Sequence, residues 1–102
     1  MNKIAQQCKQ VLAEHYGSSF AGLILYGSIA RNDARPESDI NLLVLLKPPF
    51  DFFQELEAIV DLLYPLQLES DRLISAKPAA LDEYEIGSLQ LYRNAKLEGI
   101  GV

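Results

Sequence analysis

Three observations predict a small mixed α/β (α+β) fold, with three or more strands in one sheet flanked by helices. Two segments, Phe20 to Tyr26 and Asp39 to Leu46, are apolar over the length of a buried strand. Segments before and after them carry apolar residues at three- and four-residue spacing, the period of an amphipathic helix. The chain has 102 residues, 49% apolar and 23% charged, which suits a single domain spanning 1–102 with one core.

The elements follow in order. Ile4, Cys8, Val11, Leu12 and His15 share one helical face, which predicts a helix over about 3–16, capped by Asn2 and ended by Gly17. Phe20 to Tyr26 is the first strand. Gly27-Ser28 breaks it, and Ile29 to Asn32 suits a short helix. Arg31 to Ser38 is polar, contains Pro36 and reads as a loop. Asp39 to Leu46 is the second strand, ended by Pro48-Pro49. From Asp51, a candidate N-cap, Phe52, Phe53, Leu56, Ile59, Val60 and Leu63 fall on one helical face. Leu66 to Ser75 is expected as the third strand, with Pro65 at its start. Leu81 to about Leu97 reads as helix broken at Gly87-Ser88, and Gly99 to Val102 as a tail. A whole helix between the second and third strands permits them to lie parallel.

Composition excludes several function classes. The net charge of −5 opposes binding of long nucleic acid by phosphate neutralisation, which needs clustered Lys and Arg. One cysteine, Cys8, rules out an internal disulfide, and one histidine, His15, argues against a histidine-rich metal centre. No apolar run approaches 20 residues and the N-terminus lacks a signal-peptide core, so the expectation is a cytoplasmic protein without a membrane span. Cys8 on an apolar helix face reads as an inert buried thiol. Phe50, Phe52 and Phe53 read as core, with an exposed partner patch as the alternative. Self-association is compatible with a domain this small.

The chemistry concentrates between Leu23 and Val44. A strand that ends in Gly27-Ser28 and turns into a helix directs backbone N–H groups outward, where they favour phosphate oxygens. Gly27 lets the backbone approach a ligand, the Ser28 hydroxyl can donate to phosphate, and Arg31 lies one turn on. A Gly-Ser pair alone is equally a plain tight turn. Asp39 adds to it: it opens the next strand 11 positions after Ser28, and Asn41 shares its face. Asp71 is placed to bring a carboxylate from the third strand. Converging carboxylates suit Mg²⁺ and the phosphates of its substrate. The alternative is that Asp39 caps a loop and Asp71 is a solvated charge.

The run Gly27-Ser28-Ile29-Ala30-Arg31, then Ala34, then Ser38-Asp39-Ile40-Asn41-Leu42, resembles the signature of the minimal nucleotidyltransferase (MNT) family of polymerase-beta-like nucleotidyltransferases. That pattern runs G-S-x-A-R-G-x-A and then S-D-x-D-L. The leading helix, the crossover helix, Asp71-Arg72-Leu73 and the Arg93 to Gly99 ending extend the resemblance over nearly the whole chain. It implies a nucleotidyltransferase fold and Mg²⁺- or Mn²⁺-dependent transfer of a nucleoside monophosphate from an NTP, ATP foremost, to an acceptor hydroxyl. It implies Gly27, Ser28, Arg31 and Ser38 on the triphosphate, metals at positions 39, 41 and 71, and catalytic roles for Asp39 and Asp71. It also implies a HEPN-domain protein as partner, this chain being the antitoxin half of a toxin–antitoxin pair. Two residues depart from the pattern. Asn32 stands where the family has glycine. Asn41 replaces the second metal-binding aspartate, and a neutral amide cannot bridge two metals as a carboxylate does. Two functions therefore stand open: a transferase, or a catalytically degenerate module that binds nucleotide or partner. A structural interaction module with an accidental Gly-Ser-Arg turn is the third and least favoured.

Overall fold

The computed structural model describes residues 3–31 and 38–102. The Asn2 cap, the Asn32 departure, Ala34 and the Pro36 loop lie outside the described residues.

Helix α1 (Lys3–Tyr16) buries Ala5, Cys8 and Leu12; of the face read from the sequence, Cys8 and Leu12 are buried, Ile4 and Val11 partly so, and His15 is exposed. It ends at Gly17, whose φ of 56° is left-handed, and a 3-10 turn, Gly17–Ser19, leads into β1 (Phe20–Tyr26). Strand β2 (Ile40–Leu46) returns antiparallel to β1, with Tyr26 opposite Asn41 and Phe20 opposite Leu46. Residues Leu42 to Leu46 are all buried, because both faces of this central strand are covered.

Helix α2 (Phe52–Glu69) starts where Asp51 Oδ1 accepts the Gln54 N–H at 2.9 Å, so the N-cap is as expected. Its end differs from expectation. The helix runs through Pro65 for another turn, and the third strand, β3, is Ile74–Ala80 rather than Leu66 to Ser75. Proline inside a helix removes one backbone hydrogen bond and crowds the preceding turn. Here Pro65 sits on the exposed side, while Leu63 is buried and Leu66 packs against the core. Tertiary packing outweighs the local signal.

Strand β3 pairs parallel with β2, Asn41 opposite Ser75 and Leu43 opposite Lys77. The Ile40 N–H donates to Leu73 O at 2.8 Å, so even-numbered β3 residues turn their backbone groups toward the open edge. Pro78 is one of them and sacrifices no ladder bond. Ile74 is another, and its N–H is capped by Gln67 Oε1 at 2.6 Å. Both features blunt an edge that would otherwise recruit another strand.

After β3 come α3 (Leu81–Ile86) and α4 (Gln90–Glu98). The break is at Gly87, with φ 78°. Its N–H reaches Tyr84 O and that of Ser88 reaches Glu83 O, each at 3.1 Å, a Schellman end. The expected tail is instead a strand, β4 (Ile100–Gly101), antiparallel to β1 at Ile24 and Leu25. Gly99 permits this approach: a Cβ there would meet Ala95 O and stand 2.6 Å from Ile24 Cγ2.

The sheet order is β3-β2-β1-β4. Helices α1 and α2 cover one face, over Leu23, Leu25, Ile40, Leu42, Val44 and Leu46. On the other face Tyr92 and Ala95 of α4 pack on Leu43, Leu45 and Ala79. Phe50 joins the first cluster, whereas Phe53 is 76% exposed. No described helix is long and apolar enough to cross a membrane.

Candidate functional site

Strand β1 ends, and β2 and β3 begin, at the same end of the sheet. One row of side chains crosses the three strands there: Tyr26, Asn41 and Ser75, all on the face that α4 covers further along. Asp39 precedes β2 and is exposed. Burial raises the Tyr26 hydroxyl above the ordinary tyrosine range, so the row of Tyr26, Asn41 and Ser75 carries no charge.

Gly27 follows β1 with φ 88°. The expected short helix at Ile29 is a single turn, closed by the Arg31 N–H on Gly27 O at 3.1 Å. Too few residues stack behind this turn to build a helix dipole, so its anion-binding capacity rests on local donors. Gly27 is required twice over. Its φ disfavours any Cβ, and an added Cβ would lie 2.8 Å from Asn41 Nδ2. The Asn41 amide therefore packs directly over the turn that carries Ser28, which is half-buried.

Arg31 is exposed and its Nη1 lies 3.2 Å from Glu98 Oε2, at the end of α4. That contact ties the Gly27 turn to the C-terminal helix. The backbone oxygen of Ser38 accepts from Arg72 Nη1 at 3.0 Å, which joins the approach to β2 with the bend before β3.

The structure corrects the placement of Asp71. It lies in the bend after α2, not on the third strand. Ser70 shapes that bend, its hydroxyl donating to Arg72 O at 2.8 Å and accepting the Arg72 N–H at 3.1 Å. Asp71 is exposed in a shallow cleft with Ile4, Ile40, Glu69, Ser70 and Arg72. Ile40 belongs to the face under α1 and α2, opposite to that of Asn41. The residue beside Asn41 on β3 is Ser75, which sequence reading did not single out. The polar–apolar alternation Ile74-Ser75-Ala76-Lys77-Pro78 was the available signal, and misplacing the strand by several residues hid it.

These positions decide how well the residues fit a pair of divalent ions. Asp39 offers a carboxylate, Asn41 a neutral amide and Ser75 a hydroxyl, while Asp71 is directed elsewhere. Among the described residues no three His, Cys, Asp or Glu side chains come together. Hard divalent cations bridging phosphates need anionic oxygen ligands in number, so this donor set does not fit a two-ion centre.

The remaining candidates are structural. Cys8 is fully buried, and burial pushes its thiol up to about 11, far from a reactive thiolate. His15 is exposed and meets the Tyr16 ring edge-on at 4.7 Å.

The arrangement is thus an antiparallel pair joined by a Gly-Ser turn, a carboxylate entering the second strand, and a parallel third strand beside it. The sequence model of the family described as Polymerase beta, Nucleotidyltransferase matches residues 6–95, which runs from within α1 to most of α4 and takes in every described element between. No curated protein matches the chain. With the family pattern covering nearly the whole length and the fold agreeing with it, the chain belongs to the polymerase beta-like nucleotidyltransferase family.

Proposed function

We propose that the chain is an MNT-type member whose Gly27–Ser28 turn binds a nucleotide and which acts through a protein partner, without efficient transfer chemistry of its own. The observation that carries this reading is the row Tyr26–Asn41–Ser75, which offers an amide and a hydroxyl but no second carboxylate to join Asp39 in holding metal. The phosphate-facing elements persist: Gly27 with its positive φ, Ser28, and Arg31 one turn on. The outer face of α2 supports a protein partner. Val60, Tyr64 and Leu68 recur at four-residue spacing with Leu73 nearby, and each is more than half exposed. By the family resemblance that partner is a HEPN-domain protein and this chain its antitoxin.

A second reading is favoured by one observation, the retention of Asp39 at the entry to β2 beside an intact Gly-Ser turn. On it the chain transfers a nucleoside monophosphate from an NTP, ATP foremost, to a hydroxyl on the partner, with Mg²⁺ or Mn²⁺. The test is transfer of labelled nucleotide to the co-purified partner, with each metal, for the natural protein, Asn41→Asp and Asn41→Asp/Ser75→Asp. Labelling by the natural protein establishes the transferase and ends the binding-module reading. Labelling only by the doubly substituted protein means a decayed metal site. No labelling, with nucleotide and partner still bound, is the result the binding-module reading expects.

A further inference from the structure

Lys77 is the one cationic residue within the described strands. It follows Ser75 by two positions on β3 and therefore shares the face of Ser75 and Asn41, about 7 Å further along the strand. Its register partner is Leu43, which is fully buried under α4. Lys77 thus stands at the border between the covered part of this face and the open polar row. It is half-buried, and no described residue gives its ammonium a hydrogen bond or ion pair. A lysine lays its stem along apolar surface and keeps its charged head at the edge of water, where an arriving anion can pair with it.

The other described cations are placed differently. Arg72 reaches Ser38 O, Arg93 reaches Gly87 O, and Lys96 reaches Glu85 O. Lys3 and Lys9 belong to α1, across the sheet. Lys47 follows β2 at its far end. Arg31 also lies near the row, on the opposite side of Asn41 and through the Gly27 turn.

We propose that this site binds the phosphates of a nucleoside triphosphate without a divalent metal, with the Lys77 ammonium supplying the positive charge that the absent carboxylates would otherwise have recruited as metal ions. The proposal rests on the nucleotide-binding reading above and deepens it. The chemistry is consistent from residue to residue. Asn41 and Ser75 are both neutral, so this face carries less negative charge and fewer metal ligands than a pair of carboxylates there would give. A lysine on a flexible four-carbon stem then suffices as a point-charge phosphate contact. The Asn41 amide adds a neutral donor that a carboxylate at the same position would not offer.

The experiment is calorimetric binding of ATP, and then of each other NTP, to the full chain in EDTA and in excess Mg²⁺. It compares the natural protein with Lys77→Met, Lys77→Gln and Lys77→Arg. The expected result is affinity that is unchanged within about twofold by EDTA, roughly tenfold or more weaker in Lys77→Met and Lys77→Gln, and largely kept in Lys77→Arg. Circular dichroism confirms that each variant folds, and the EDTA comparison on the natural protein needs no variant. Binding abolished by EDTA overturns the metal-free site while leaving nucleotide binding intact. Binding insensitive to both EDTA and loss of the Lys77 charge overturns the role of Lys77. No binding of any NTP under either condition overturns this proposal and the nucleotide-binding reading together.

Discussion

Replacing Gly27 by alanine tests the geometry of the site most directly. Two separate costs follow from the structure. A Cβ at φ 88° meets the steric penalty of the left-handed region, about 1–2 kcal/mol. The same Cβ would lie 2.8 Å from Asn41 Nδ2 and 3.7 Å from its Cγ, so the amide must leave its rotamer. That displacement costs about 0.5–1.5 kcal/mol. Together they give roughly 1.5–3.5 kcal/mol, a large share of the stability of a domain this size. In an Asn41→Ala background the amide is gone and only the backbone strain remains. The two substitutions should therefore couple by about 0.5–1.5 kcal/mol. Urea unfolding of the natural protein, the two single variants and the double variant measures each quantity. Equal costs of Gly27→Ala in both backgrounds would refute the packing of Asn41 over the turn. A cost below about 0.5 kcal/mol in the Asn41→Ala background would refute the left-handed conformation.

Three further outcomes are expected. Gly99→Ala should cost about 1–3 kcal/mol and expose β1, because its Cβ would meet Ala95 O and Ile24; faster amide exchange at Val102, whose N–H donates to Leu23 O, reports the loss. Gln67→Ala should cost about 1–3 kcal/mol in chemical denaturation, since it uncaps the Ile74 N–H and withdraws a donor from Arg72 O. Stability should fall as pH rises from 9, because burial lifts the Cys8 thiol from 9.0 to about 11 in the folded protein. The unfolded chain ionises there first, so the contribution is complete below pH 9 and declines by roughly 1 kcal/mol by pH 10. Thermal melts across that interval should flatten in Cys8→Ala, and an unchanged slope would mean that the thiol is not shielded.

Local chemistry dictates the elements of this protein that can be read along the chain. The helix over 3–16, the strand Phe20–Tyr26 and the Asp51 cap are each written in spacing or in a single capping side chain. The family is legible for the same reason. Gly27-Ser28, Arg31 and Ser38-Asp39 lie close in the chain, so their pattern survives without knowledge of the fold, and so does the departure at Asn41.

Elements whose stability comes from distant partners emerge only in three dimensions. Helix α2 continues through Pro65 because Leu63 and Leu66 pack against the sheet, a gain that outweighs one lost backbone bond. That extra turn moves β3 forward to Ile74, which removes Asp71 from the strand and sets Ser75 beside Asn41 and Lys77 beside Leu43. Two residues of β4 were invisible because a strand this short, flanked by Gly99 and carrying Gly101, has no alternation; backbone pairing with β1 alone defines it. Spacing along a chain encodes which face a residue takes within one element. It does not encode which strand lies alongside or in what register, and the charge of this site is set by that register.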